Sequence, residues 1–283
     1  MRTVAVANHK GGSAKTTTTV NLAAALGEAG CRVLVIDMDP QGSATSWLGV
    51  DDADYGVVDA VLGRAGLAQL VHETTAPGVG IVPASPQLVT AHAADETEIA
   101  LGFIRAMERL PAIWDMVLVD CPPSLGYLGV APLAACQEAL VPVEAHVLAM
   151  AGMTSLLETM ARIQVKLNPG LRLSGVLACR VNRTAHARAV AERLGQRFPE
   201  TFLRTQVRES IRLAEAPSFR LPITQYAPAS AGAEDYRAVA AEFAPADRTR
   251  AVPPTVQVVM PPPVRDVTSR LGRLIGVRGA GRR

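Results

Sequence analysis

The stretch Asn8-His9-Lys10-Gly11-Gly12-Ser13-Ala14-Lys15-Thr16-Thr17-Thr18 decides the fold. An apolar run, Thr3–Asn8, leads into it, and a helix-period pattern, Thr16–Ala29, leads out. A glycine-rich turn between a strand and a helix lets successive backbone N–H groups converge on phosphate oxygens at the positive end of the helix dipole. Lys15 has the place and charge to reach the β- and γ-phosphates, and Thr16 offers the hydroxyl that commonly ligates Mg²⁺. The ordinary pattern G-x-x-x-x-G-K-S/T does not fit, because His9 and Ala14 occupy its two glycine positions. A methyl group at position 14 is expected to require a negative φ there.

Outward from the loop, apolar β-rich runs alternate with helical patterns. The runs are Thr3–Asn8, Arg32–Asp37, Val79–Pro83, Asp115–Asp120, Ala139–Val143, Leu173–Cys179 and Phe202–Val207. The helical patterns are Thr16–Ala29, Gln87–Leu110, Met150–Leu167 and Ala185–Phe198. Continuous apolar strands separated by helices predict an α/β fold, a single doubly wound, mostly parallel sheet with helices on both faces. A chain of 283 residues with 49% hydrophobic residues can bury such a core. Wholesale disorder and a collagen-like fold are excluded by that composition.

The pattern stops after Phe243. Six of the twenty prolines fall in residues 245–283, so the chain divides into a doubly wound domain over 1–243 and a flexible basic tail over 244–283. Within the tail, Val267, Leu271, Leu274 and Ile275 fall at helical spacing beside Arg270, Arg273 and Arg278, a possible short amphipathic helix. No window of about 18 apolar residues exists, and a cytoplasmic location is expected. Cys31, Cys121, Cys136 and Cys179 stand far apart in apolar stretches and read as reduced core thiols.

The net charge of +2 is unevenly spread. Residues 172–212 carry nine arginines against three glutamates, and residues 245–283 carry eight arginines against two aspartates, each +6, which leaves −10 for the rest. Two basic segments of this kind can meet phosphate backbones or anionic lipid.

With Lys10 opening it, the loop resembles that of the deviant Walker A ATPases of the ParA/MinD superfamily, K-G-G-x-G-K-S/T. Lys10, Gly11, Gly12, Lys15 and Thr16 match, and Ala14 replaces the last glycine. Asp37-Met38-Asp39-Pro40-Gln41-Gly42-Ser43 is similar to the D-x-D-P-Q-G-N switch of Soj-type ParA proteins, and Asp120-Cys121-Pro122-Pro123-Ser124 to their Walker B and second switch. Arg212-Leu213-Ala214-Glu215-Ala216-Pro217-Ser218 resembles R-L-S-E-A-P-S, and the run from Tyr226 to Tyr236 echoes Y-x-P-x-S-x-G-A-x-x-Y. The likeness covers residues 1 to about 243.

The resemblance implies a Mg²⁺-dependent ATPase. Lys15 and the amides of Gly11, Gly12, Ser13, Ala14, Thr16 and Thr17 hold the phosphates, Thr16 and Asp120 serve the Mg²⁺ with Asp37 in its surroundings, and Asp39 orients the attacking water. Lys10 reaches across a homodimer to the partner's ATP, in the manner of an arginine finger. Arg183 and Arg212 match arginines that bind double-stranded DNA without sequence preference; both fall in the first basic segment, where Arg180, Arg188 and Arg208 could extend the patch. The implied function is DNA partition in the cytoplasm, on the nucleoid, with hydrolysis to ADP stimulated by a ParB-like centromere-binding protein.

Two stretches depart from that pattern. The family's I-P-R-N is Val207-Arg208-Glu209-Ser210 here, which removes a proline expected beside the adenine, and its V-Q-C-E is Val143-Glu144-Ala145-His146. Asn182 is the remaining candidate for the base, and His146 reads as structural. Three alternatives stand beside the partition reading. One is a MinD-like or cargo-positioning ATPase held on a membrane by the tail helix. Another is an iron–sulfur protein using Cys121 and Cys136. The third is a nucleotide-gated DNA scaffold with negligible turnover, prompted by Ala14.

Overall fold

A computed structural model of the chain describes residues 1–51, 53–85, 87–88, 96–123, 126–145 and 149–244. Seven strands form one sheet: β1 (Arg2–Val6), β2 (Val33–Asp37), β3 (His72–Glu73), β4 (Val79–Val82), β5 (Met116–Asp120), β6 (Glu138–Glu144) and β7 (Arg172–Cys179). Their order is β3-β4-β2-β5-β1-β6-β7, and every pairing is parallel except that of the short edge strand β3 with β4. The central strands are buried along their whole length, which is why they read as unbroken Val/Leu/Ile runs without alternation.

The helices are α1 (Lys15–Glu28), α2 (Ser43–Trp47), α3 (Val57–Val61), α4 (Glu96–Glu108), α5 (Tyr127–Ala135), α6 (Ala149–Lys166), α7 (Ala185–Arg197), α8 (Ile211–Glu215), α9 (Ile223–Tyr226) and α10 (Ala231–Phe243). Leu22 and Leu26 of α1 and Tyr236 and Val239 of α10 pack on one face of the sheet. Phe103 of α4, Leu133 of α5, Leu156 and Ile163 of α6 and Leu194 of α7 fill the other. The sheet is therefore doubly wound, as the alternating pattern predicts. Its carboxyl ends gather the chemistry: Asn8 follows β1, Asp37 ends β2, Asp120 ends β5 and Glu144 ends β6. In an open α/β sheet this edge, where the strand order reverses beside β1, is where ligands bind.

One predicted strand is absent. Residues Phe202–Val207 meet β7 through scattered contacts and not a continuous ladder: the Val176–Phe202 bridge and the bonds from the Leu203 and Val207 amides to the Val176 and Ala178 carbonyls, with a second bridge, Val181 with Arg208, just beyond. The ladder is interrupted because the amides of Arg204 and Thr205 turn away to the Glu242 carboxylate, at 2.8 and 3.0 Å. The pattern over Gln87–Leu110 contains α4, which begins at Glu96, with residues 89–95 outside the described set. The two-residue strand β3 is too short to leave a periodic signal.

Ser124, His146 and the tail from residue 245, with its possible helix, also lie outside the described residues. No helix among the described residues is long and apolar enough to cross a membrane. The four cysteines are buried and form no disulfide among the described residues, and burial pushes the thiols of Cys121, Cys136 and Cys179 well above their usual range.

Candidate nucleotide site and arginine face

The glycine-rich loop wraps the N-terminus of α1 in the way an anion site needs. Gly12 and Ala14 both adopt left-handed backbone, φ 73° and 67°. The expectation of a negative φ at Ala14 is thus wrong. Residue 14 is the residue from which α1 starts, and its carbonyl already accepts the Thr18 amide at 2.8 Å, so the turn geometry is kept and the methyl carries the strain. That conformation costs an L-residue about 1–2 kcal/mol. No side chain caps the helix and no acidic residue stands in its first turn, so the first amides of α1 remain available.

The pocket above them fits a phosphate chain. Built Cβ atoms on Gly11 or Gly12 would meet nothing within 4 Å, so the loop is open on that side. Ser13 Oγ is buried and has no hydrogen-bond partner among the described residues. Lys15 is itself buried, with Nζ 3.3 Å from the Lys10 carbonyl, and its pKa is lowered by desolvation against the pull of Asp120, Cys121 and Asp39. Among the described residues no carboxylate lies within ion-pair distance of Nζ, a setting in which a buried ammonium can take an anion.

Asp37 and Asp120 are register partners at the ends of β2 and β5, and both are fully buried. Thr16 Oγ1 donates to Asp120 Oδ2 at 2.7 Å, and Thr19 Oγ1, one turn further along α1, lies 3.0 Å from Oδ1. Burial, then the Asp37 charge beside it, raises the Asp120 pKa; Asp37 is raised chiefly by burial as well. Two carboxylates crowded in one dry place favour a cation between or beside them. The Asp37 oxygens are, however, already engaged by Asp39 N at 3.1 Å, Thr45 N at 2.9 Å and Thr45 Oγ1 at 2.7 Å. Asp37 therefore anchors the segment that presents Asp39, which lines the same cleft as residues 11–17.

That cleft, about 470 Å³, runs from the glycine loop to Val207, Arg208, Glu209, Ser210, Ile211, Leu213 and Ala214. Asn182 is not among its walls. Its side-chain oxygen is taken by Thr184, at 3.2 Å from the amide and 2.6 Å from the hydroxyl, in a turn that leads into α7. The missing proline in the 207–210 stretch is compensated from outside. Asp235 on α10 accepts from the Arg208 amide at 2.8 Å and from its guanidinium at 2.7 and 3.0 Å, and Glu234 accepts from the same guanidinium at 3.1 Å. Nothing in the local sequence pattern announces this tether, whereas Thr19 could have been read from its three-residue spacing to Thr16.

The arginine segment divides. Arg183, just before α7, and Arg188 on it are exposed and take part in no ion pair among the described residues, while Arg212 on α8 is exposed and pairs with Glu215 at 2.9 Å. Two of the expected extensions are occupied: Arg208 by Asp235 and Glu234, and Arg180 by Glu144 at 3.3 Å.

The comparisons with known proteins agree with this geometry. A family described as an AAA domain matches residues 1–173. The chromosome-partitioning ATPase Soj of Thermus thermophilus is 43% identical over 244 residues, covering 86% of this chain and 95% of that protein. The sporulation initiation inhibitor protein Soj of Bacillus subtilis is 38% identical over 246 residues, covering 85% and 97%. Among solved structures, cobyrinic acid a,c-diamide synthase of Mycobacterium smegmatis with bound ADP and magnesium is 33% identical at a TM-score of 0.73, covering 85% of this chain and 93% of that one. The septum site-determining protein MinD of Pyrococcus horikoshii, complexed with Mg-ADP, is 25% identical at a TM-score of 0.72, covering 84% and 94%. Loop, switch and sheet together with these relatives place the chain in the Soj/ParA family of chromosome-partitioning ATPases.

Proposed function

We propose that the protein is a DNA-partition ATPase whose ATP-bound homodimer holds non-specific double-stranded DNA and is released when a ParB-like partner stimulates hydrolysis. The observation that carries the reading is the convergence of Lys15, Thr16 and Asp39 on one cleft at the glycine loop, with Asp120 buried behind Thr16 and bonded to its hydroxyl. Lys15 and the amides of residues 11–17 bind the phosphates of ATP, and Ser13 Oγ gains the partner it lacks. A bound Mg²⁺ supplies charge neutralisation at the phosphates. Thr16 and Asp120, whose side chains are hydrogen-bonded to each other at 2.7 Å, would hold it.

Asp39 orients the attacking water, and Asp37 keeps the Asp39 segment fixed to the sheet. Lys10, at the mouth of the loop, serves the partner's ATP in the dimer. The main chain of residues 207–210 takes the base-side position expected of Asn182 from the sequence. Phosphoryl transfer in this arrangement rests on positioning and charge.

Arg183 and Arg212 bind the DNA backbone through their charge. The experiment measures ATP turnover and DNA retention together. Asp39→Ala is expected to bind Mg-ATP, lose turnover and accumulate as a DNA-bound dimer. Replacing Arg183 and Arg212 by Ala is expected to lower the salt slope of DNA binding by about 0.9 for each phosphate that is no longer neutralised. An Asp39→Ala protein that stays monomeric and off DNA with ATP overturns the scheme.

A further inference from the structure

Glu144 stands where the family pattern carries a neutral glutamine, and the fold brings it to Lys10. Strands β1 and β6 are neighbours, with Val6 beside Leu140. Asn8 ties the start of the loop to β6 through a buried bond from Nδ2 to the Pro142 carbonyl at 2.8 Å, and its Oδ1 accepts the Lys10 amide at 3.1 Å. Lys10 thereby leaves the loop alongside the last residue of β6. Its Nζ lies 3.5 Å from Glu144 Oε2, with the two side chains 39% and 27% exposed.

The carboxylate is held from its other side as well. The Arg180 guanidinium lies 3.3 Å from Glu144 Oε1. Arg180 follows directly on Cys179, the register partner of Glu144 on β7, and its backbone is left-handed, φ 52°. Arg180 and the sheet thus fix the carboxylate where Lys10 emerges, and the free protomer keeps Lys10 folded against its own β6.

We propose that Glu144 is a latch on Lys10, a positioning residue that restrains ATP-driven pairing of two protomers. A lysine turned toward its own sheet is unavailable to another chain's phosphates, so pairing has to exchange the carboxylate for a phosphate oxygen. The cost of breaking the Lys10–Glu144 pair is subtracted from the gain. A half-exposed pair of this geometry contributes modestly, so the latch tunes the concentration at which dimers form without preventing them. The inference rests on the reading that Lys10 acts across the dimer.

The test is a double-mutant cycle on the full chain, with dimerisation followed by sedimentation in Mg²⁺ and a non-hydrolysable ATP analogue, and ADP affinity of the protomer measured separately. Glu144→Gln is expected to tighten dimerisation two- to five-fold and to leave ADP affinity within two-fold. Glu144→Asp, which keeps the charge, is expected to fall between Glu144→Gln and the parent. In a Lys10→Gln background, where dimerisation is expected to weaken at least ten-fold, Glu144→Gln is expected to have no further effect. If Lys10→Gln weakens dimerisation and Glu144→Gln does not tighten it, or tightens it equally in both backgrounds, the latch is overturned and the trans lysine stands. If Lys10→Gln dimerises like the parent, both fall together.

Discussion

The two ends of the cleft are built on different physics. At the phosphate end, the groups sit on consecutive residues of one loop and at the last positions of neighbouring strands, so chain connectivity and sheet register alone bring Lys15, Thr16, Asp37 and Asp120 together. At the far end, residues 207–209 meet β7 and Val181 through only a few backbone bonds, and an arginine–carboxylate tether to α10 adds the rest of the hold. A site assembled from strand ends is as stable as its sheet. A rim held by side chains can be loosened by one substitution.

The largest expected effect lies at the phosphate end. Lys15→Ala removes a buried cation aimed at phosphate and is expected to weaken ATP binding at least 100-fold, read with a fluorescent nucleotide analogue, with the fold unchanged by circular dichroism. An affinity within ten-fold of the parent would break the comparison at its stronger side.

Asp235→Ala tests the weaker side. It leaves the Arg208 amide without its acceptor and is expected to cost about 2 kcal/mol in urea unfolding, less than a fully buried pair because the Arg208 side chain is half exposed. Nucleotide affinity should fall about ten-fold, and magnesium dependence should stay as in the parent.

Asp120→Asn separates stability from function. A carboxyl raised by burial stabilises the fold when protonated, and that contribution is lost as pH rises toward its folded value. The variant should therefore be more stable than the nucleotide-free parent, by about 1–2 kcal/mol at pH 8 and less at pH 5, while losing the magnesium dependence of ATP binding. A stability difference that shrinks as pH rises would contradict the sign.

The smallest expected effect belongs to Ala14. Ala14→Gly relieves the left-handed strain but loosens the unfolded chain, for a net gain of about 0.5–1 kcal/mol in unfolding free energy. A loss of stability would mean that the methyl contributes packing worth more than the strain.

The same contrast explains what is legible in the sequence. The loop, the strand-end aspartates and the order of strands and helices carry local signals, a glycine run or an apolar run followed by a carboxylate, and all are visible along the chain. The rim at residues 207–210 is not, because the Asp235 that tethers it lies 27 residues from Arg208 and no periodicity links them. Asn182, the candidate for the base in the sequence, follows β7, and the Thr184 hydroxyl donates to its oxygen in a local turn that no strand pattern announces. The sign of φ at Ala14 escapes the sequence for a related reason: the cost of strain at one residue can be read from residue type, but what the surrounding loop gains by imposing it cannot. Residues 202–207 have the composition of a strand and forfeit their ladder to Glu242.

That last interruption has a consequence for solubility. An open sheet has two margins where unpaired amides and carbonyls can recruit another chain. One margin here is the two-residue β3, too short to serve as a template. Along the other, residues 201–208 cover β7 through scattered bonds, and Glu242 takes the amides of Arg204 and Thr205 that an incoming strand would need. Among the described residues neither margin of the sheet offers a long flat row of free groups, so copies of the protein can crowd without their sheets joining edge to edge.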